Sequence, residues 1–596
     1  MCEVARRGRF LVADPYLEPG APISLGRRGS LTVEAGELVA VEVHGGRGRV
    51  VERLGRPNDI RALMRGVLVE GGVGTPYPED ALADAHSVAV EPEGLDVGRV
   101  DLRELTTVTI DPPDARDFDD AISVVADGDA LVVFVHIADV AFHVRPGSAL
   151  DREARRRAFS VYVPSRVEPM LPPELSNGAC SLRQDHDRRA VTVELRFDAS
   201  LQPGEPRFQR TLIRSDARLD YTEAHAILEG ARTERSAAVV ETLRLADRVS
   251  AELRRRRFAR GALEIEAHEL VFEIEEGRVV EARRDAEPRA HSLIEELMIL
   301  ANEQVAELLA RRTLPALYRV HQAPEPEAID ALVKRFTDLG VPTAPVPKHL
   351  SAADTGAWVS AQARVLGKYI RSRDGVGEAF WSQLLRSLDQ ARYLPENLGH
   401  TGLASKAYCH FTSPIRRYPD LVCHRSLLAA IGQAEAMPAG GNELAELAEH
   451  ASSSERTAAD IERRADGICS ASLLADELRD DREREHEGEI TGLIGAGLFV
   501  RFSDVYEGFL PSRRLDAGDR FDPNELGTAL VGRSNGRRFR LGDPIEVVVT
   551  EIDAPRGRVT LDLAGREPRD TYPRPRRPAG PKRGGRPPTR RPRGRR

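Results

Sequence analysis

No run of eighteen apolar residues occurs in the 596-residue sequence, which excludes a single-helix membrane span. A charged and then apolar amino-terminal leader is also lacking, so no export signal is expected. Cysteine is scarce. Cys2, Cys180, Cys409, Cys423 and Cys469 are scattered and lack the paired spacing of a thiolate metal site. They are expected to be free thiols, mostly structural, in a reducing cytoplasmic compartment. Net positive charge is confined to one end. The formal net charge is −8, yet residues 566–596 carry 13 Arg/Lys against 2 acids, a local +11 that leaves −19 over the rest. An acidic body is not the footprint of a broad duplex-binding face, although it permits a narrow basic channel. The length allows roughly four domains, and 41% apolar residues is enough for real cores.

Against that background one stretch stands out, TIDPPDARDFDDA, from Thr109 to Ala121. It contains Asp111, Asp114, Asp117, Asp119 and Asp120. Strand-like VTI leads in, AISVV leads out, and DPPDA reads as a turn. A solvated acidic turn and a cation site both fit such a loop. The apolar sequence on each side favours the second, because it sets the acids at the ends of core strands. Packed carboxylates repel one another, and burial sharpens the repulsion. A hard divalent cation relieves it, takes oxygen ligands and commonly bridges to phosphate. Two such ions can serve an in-line phosphoryl displacement.

Four more stretches lie downstream: SVYVPSRVEPMLPPELSNGACSL (160–182), AHSLIEELMILAN (290–302), LYRVH (317–321) and HFTSPIRRYPDLVCHR (410–425). With the acidic loop, in this order and at these separations, they resemble the RNase II/RNR (RNB-domain) family of processive exoribonucleases over nearly the whole chain. The resemblance implies a multidomain α+β protein, with a central RNB catalytic domain flanked by OB-type β-barrels. The expected divisions are a cold-shock/OB-type RNA-binding domain at 1–60, a helical linker at 61–98, the RNB catalytic domain at 99–480, an S1/OB-type domain at 484–565, and a disordered basic tail at 566–596. Family members generally carry two OB-type domains before the catalytic loop. Asp111 comes too early for both, so one is expected to be missing.

The resemblance also implies roles. Asp111, Asp117, Asp119 and Asp120 are expected to hold Mg²⁺, for which Mn²⁺ can substitute. Tyr162 matches the tyrosine that stacks on the terminal base, where an aromatic face grips without reading sequence. Arg416 matches the arginine that steadies the scissile phosphate, and its planar fork suits a pair of phosphate oxygens. Arg417 is expected either to hold the next phosphate or to brace Asp420. Glu462 aligns with a glutamate that contacts the terminal ribose, and a surface ion pair is the competing account. Tyr318 is expected near the RNA path. His136 and Asp139 are placed close to the site, His136 with packing as the simpler reading, and Asn177 and Ser181 are expected to shape it. Thr412 and Ser413 are expected to open a helix. Leu293, Leu297, Ala301, Val305 and Leu308 recur as the buried stripe of an amphipathic helix. In the amino-terminal piece Arg9 and Phe10 are candidate contacts with nucleic acid, with Phe10 as core the competing account, and in the carboxy-terminal barrel Phe499, Phe502, Tyr506 and Phe509 are candidate stacking platforms, of which alternation requires some to be core.

The implied function is 3′-to-5′ hydrolysis of single-stranded RNA to nucleoside 5′-monophosphates with little sequence specificity, by a monomer that engages no membrane. A catalytically inactive RNA-binding protein on the same scaffold is the alternative.

Overall fold

The computed structural model describes residues 1–565, except 9, 27–30, 90–95, 97, 265–269, 285–288, 348–350, 374–376, 434–439, 482 and 517. Arg9 and the expected basic tail therefore lie outside the described residues.

A seven-stranded sheet organises the centre. Its order is Ala217–Leu219, Val108–Ile110, Asp120–Asp127, Ala130–Ala138, Asp187–Phe197, Arg207–Arg214, Val100–Asp101. Strand Ala130–Ala138 reads LVVFVHI and is buried along nearly its whole length, as an interior strand rich in β-branched residues should be. Helix Arg289–Arg311 buries the stripe Leu293, Leu297, Ala301, Val305 and Leu308 in the same core. Helix Tyr418–Ala430 packs into that core through Leu421, Val422, Leu427 and Leu428.

Helix Asn442–Glu477 links the parts. Its 36 residues span about 54 Å. Leu444, Leu447, Ala448 and Ala451 sit in the central core, whereas Ile461, Ala465, Ile468 and Leu474 sit in a second core shared with helix Ile60–Glu70 and the carboxy-terminal barrel. That barrel is closed by five strands, Glu485–Ile494, Gly497–Phe502, Tyr506–Pro511, Arg558–Leu563 and Pro544–Asp553. This is the architecture an S1/OB-type fold requires. At Gly508 an added Cβ would fall 2.7 Å from Leu561 Cγ, so close approach of these strands demands glycine. Phe502 and Tyr506 are 1% and 4% exposed, and the Tyr506 hydroxyl donates to Glu477 Oε1 at 2.7 Å. Both form core, so they are the members of the four barrel aromatics that do not stack on bases. Phe499 and Phe509 are half-buried and pack across neighbouring strands, ring centroids 5.3 Å apart.

The amino-terminal piece departs from the expected barrel. It is a five-stranded sheet ordered Ile23–Ser24, Phe10–Pro15, Cys2–Arg7, Leu38–His44, Arg47–Gly55. One isolated bridge, Leu25 with Gly48, brings its two ends together. Phe10 is 60% exposed. Two helices, Ile60–Glu70 and Glu79–Ala89, lead on to the central sheet. Among the described residues, no helix is long and apolar enough to cross a membrane.

Candidate active site

The acidic loop joins two neighbouring strands of the central sheet. Asp111 follows Val108–Ile110, and Asp120 opens Asp120–Asp127. The turn between them is pinned at several points. Asp111 N–H donates to Leu219 O at 3.1 Å, and Ala138 N–H donates to Asp119 O at 2.9 Å. Ser181 Oγ accepts from Phe118 N–H at 3.1 Å and donates to Arg116 O at 2.8 Å. Asp114 points to solvent, whereas Asp119 is 3% exposed.

Two distant segments close on this loop. Ile415 N–H donates to Asp119 Oδ1 at 2.8 Å, and Arg416 Nε lies 3.6 Å from Asp119 Oδ2. Arg416 otherwise reaches outward, 46% exposed, with Nη2 donating to Ser413 Oγ at 3.2 Å. The Tyr162 hydroxyl donates to Asp117 Oδ2 at 2.8 Å, and Tyr162 N–H donates to Glu462 Oε1 at 3.0 Å. The segments that carry Tyr162 and Arg416 are themselves joined. Ser160 N–H donates to Arg416 O at 2.9 Å and Tyr418 N–H to Ala158 O at 2.8 Å. Asp111, Asp117, Asp119, Asp120, Tyr162, Arg416 and Glu462 thus belong to one locale.

Two expectations are corrected here, and a third is decided between its alternatives. Tyr318 is 4% exposed and packs in the central core. Its strand, Tyr318–Val320, is sealed by Arg392–Leu394 on one side and a bridge to Cys409 on the other. A base cannot reach that ring. The helix after SPIRR begins at Tyr418, with Pro419 in its first turn, and not at Thr412 or Ser413. Arg417 turns inward, where Nε and Nη2 donate to Asp420 at 3.0 and 2.8 Å. Asp420 is fully buried and also accepts Ser413 N–H at 2.8 Å. Of the two expectations for Arg417, the geometry matches the brace.

His136 is fully buried between Ser123 Oγ at 3.1 Å and Thr192 Oγ1 at 2.9 Å, and Asp139 is paired with Arg99 and Arg210. His136 belongs to the sheet interior, and Asp139 caps the short helix Val140–His143 just beyond it. Arg218, which sequence reasoning passed over, donates through Nη2 to Pro112 O at 2.7 Å and Pro113 O at 2.8 Å. Only its sequence position just before a helix cap at Asp220 hinted at a role.

The electrostatics are those of crowded acids. Burial first, and then the Asp120 charge, raise Asp111 well above the ordinary carboxylate range, against the pull of Arg218. Burial likewise raises Asp119 well above that range, although Arg416 and the Ile415 N–H oppose it. Asp120 shifts the same way through desolvation, opposed by Arg416 and Arg417. Burial, and then Asp117, push the Tyr162 phenol upward, so it remains a neutral donor at physiological pH. Asp111 Oδ2 and Asp119 Oδ2 are buried oxygens without a hydrogen-bond donor. An oxygen-only set with orphaned carboxylate atoms suits a hard divalent cation. Among the described residues, no three acid, histidine or cysteine side chains stand at ligating spacing around one point. The carboxylates are gathered but not closed.

The RNB domain family model matches residues 99–433, more than half of the chain. The chain belongs to the RNB-domain family. The matched RNB span holds the four aspartates, Tyr162, Arg416 and Arg417, while Glu462 lies beyond its end. Membership in this family implies a divalent metal cofactor. The chain is 36% identical over 493 residues to Ribonuclease R of Escherichia coli K12, covering 80% of this chain and 58% of that protein. With Ribonuclease R of Aquifex aeolicus it is 34% identical over 561 residues, covering 91% and 77%. The chain thus spans little more than half the length of the Escherichia coli relative. Its fold is similar to that of Mycoplasma genitalium RNase R solved in complex with ribose methylated single-stranded RNA. The TM-score is 0.82 and the identity 25%, with 94% of this chain and 88% of the other covered.

Proposed function

We propose that this chain is a processive, metal-dependent 3′-to-5′ exoribonuclease that hydrolyses single-stranded RNA to nucleoside 5′-monophosphates with little sequence specificity. One observation carries the reading. The acids of the 111–120 loop, Tyr162 and the 413–417 segment converge through direct hydrogen bonds that leave Arg416 Nε 3.6 Å from Asp119, although up to 296 residues separate the bonded partners. Relatives named Ribonuclease R, and a similar structure described with bound single-stranded RNA, support the same activity.

In this reading Asp111, Asp117, Asp119 and Asp120 hold Mg²⁺, with Mn²⁺ able to substitute. When bound, the metal supplies Lewis-acid stabilisation of phosphoryl oxygens and a more acidic water. The chain's own residues do the rest. Arg416 offers its outward fork to the scissile phosphate and offsets charge there. Tyr162 lends its ring to the terminal base while its hydroxyl orients Asp117. Glu462 fixes the Tyr162 backbone and faces the terminal ribose, where a 2′-hydroxyl distinguishes RNA from DNA. Arg417 acts through Asp420, which holds the Ser413 turn. The divisions given above for 1–60, 61–98, 99–480, 484–565 and 566–596 are retained as the proposed domain plan. In that plan the amino-terminal sheet is a cold-shock-like RNA-binding domain, and the closed barrel is an S1-type one. The five cysteines are buried and none is in a disulfide, which fits a cytoplasmic enzyme.

A time course on 3′- and 5′-labelled single-stranded RNA tests the proposal. With Mg²⁺, the 3′ label is expected to appear at once as mononucleotide, while the 5′ label stays on long and then terminal fragments. Circular RNA is expected to survive. RNA binding without Mg²⁺-dependent product would leave the catalytically inactive reading, and cleavage of the circle would make the protein an endonuclease.

A further inference from the structure

Arg218 lies outside every assignment made so far. It sits on strand Ala217–Leu219, which runs parallel to Val108–Ile110 with Arg218 opposite Thr109. Its neighbour Leu219 receives the Asp111 N–H through its carbonyl. Its side chain then crosses the turn, where a single nitrogen, Nη2, bonds both proline carbonyls of Asp111-Pro112-Pro113. The guanidinium lies 5.6 Å from the centroid of Phe118, on the far limb of the same loop, and its charge acts on Asp111.

The chemistry of the turn explains why it needs such a clamp. Pro112 and Pro113 have no N–H, so the two residues after Asp111 cannot anchor themselves by donating. Ser181 secures the far limb through Arg116 O and Phe118 N–H, whereas on the near limb Arg218 is the side chain that bonds the proline carbonyls. Both prolines are solvent-exposed. Water can therefore replace the guanidinium as donor, and its loss should cost the fold little. It should cost placement of the Asp111 carboxylate, whose buried Oδ2 has no donor to hold it.

We propose that Arg218 is a positioning residue for the metal site, acting through the Pro112 and Pro113 carbonyls to aim Asp111. The inference rests on the reading of the acidic loop as that site. The sign of the effect discriminates. A cation near a metal site repels the metal, so removing Arg218 would tighten metal binding if charge alone mattered. A clamp predicts weaker binding instead.

The test uses the full chain and Mn²⁺ alone, titrated calorimetrically with Mg²⁺ as competitor. Single-stranded RNA binding in EDTA and the thermal melt are measured alongside. Arg218→Met keeps the apolar stem and removes the fork. Its Mn²⁺ affinity is expected to fall by about 10–100-fold, the usual cost of losing a partner that orients a ligand. RNA affinity and melting temperature should match wild type. Arg218→Lys keeps the charge without the planar fork and should fall between the two; it carries the comparison if Arg218→Met does not fold. Unchanged or tighter Mn²⁺ binding overturns the inference, as does a joint loss of metal binding, RNA binding and melting temperature, which would mark a structural strut. If wild type itself binds no Mn²⁺ that Mg²⁺ displaces, the metal-site reading fails first.

Discussion

Replacing Asp119 by asparagine should lower activity and should reverse the order of stability according to whether metal is present. The substitution is nearly isosteric, and the amide oxygen can still accept the Ile415 N–H that Asp119 Oδ1 accepts at 2.8 Å. What changes is the second oxygen, which is buried, lacks a donor and lies 3.6 Å from Arg416 Nε. Without metal, the native state must hold this carboxylate away from water. Its folded pKa is raised, so the native state favours the protonated form. Wild-type stability is therefore lost as pH rises from the unfolded carboxylate range, about 4, through the folded value. In EDTA at pH 7, Asp119→Asn is expected to be more stable than wild type by about 1–3 kcal/mol, the cost of an unpaired buried polar group. The advantage should vanish below about pH 4, where wild type is protonated in both states. With Mg²⁺ at 1,000 times its dissociation constant the order inverts, because the metal adds about 4.1 kcal/mol to wild type. Turnover on labelled single-stranded RNA should fall by about 10²–10³, equivalent to about 3–4 kcal/mol of lost charge stabilisation. RNA affinity in EDTA should hold. Equal turnover of the two proteins, or the same stability difference in EDTA and in Mg²⁺, would refute the reasoning.

Tyr162→Phe keeps the ring and loses only the hydrogen bond to Asp117. Tyr162→Ala also loses about 1–3 kcal/mol of stacking, so kcat/KM on RNA should drop about 5–150-fold for alanine and far less for phenylalanine. Asp420→Ala leaves Arg417 buried without its partner and frees the Ser413 N–H, so denaturant unfolding should report a loss of about 3–5 kcal/mol. Deleting residues 566–596 removes a net +11, and RNA affinity should fall at low salt and converge with the full chain at high salt, read as a shallower plot of log affinity against log salt.

Features set by neighbours in sequence were legible, and features set by neighbours in space were not. Strand Ala130–Ala138 and the stripe of helix Arg289–Arg311 follow from local periodicity, and the structure buries both. The acidic loop was readable because its flanks are apolar over several residues on each side. Tyr318 was misplaced because LYRVH reads alike whether its strand is open or sealed, and it is sealed by residues 392–394 and 409. Phe502 and Tyr506 sit where simple alternation leaves the inner and outer faces of a barrel undecided. The amino-terminal runs alternate alike in an open sheet and in a closed ring, and the bridge between Leu25 and Gly48 that brings the sheet's ends together has no local signal. Arg218 escaped notice because its partners in the loop, Pro112 and Pro113, are 106 and 105 residues away.

That distance dependence also explains how the acids are tolerated before any cation arrives. Repulsion among Asp111, Asp117, Asp119 and Asp120 would spring an isolated loop open. Here each limb is tied to a different part of the core. Asp111 is tied through Leu219, Asp117 through Tyr162, Asp119 through Ile415 and Ala138, and Asp120 through its pairing with Ile137. The ties are mostly backbone groups of buried elements, which cannot yield without disturbing the sheet or the helix at Tyr418. Folding therefore supplies the free energy that holds the carboxylates together, and the orphaned oxygens of Asp111 and Asp119 are what that expenditure leaves available to a ligand. A cation then has less reorganisation to drive than it would in a flexible acidic loop. The same ties carry Tyr162 and Arg416, so an RNA end that engages either one meets acids already held in register with it.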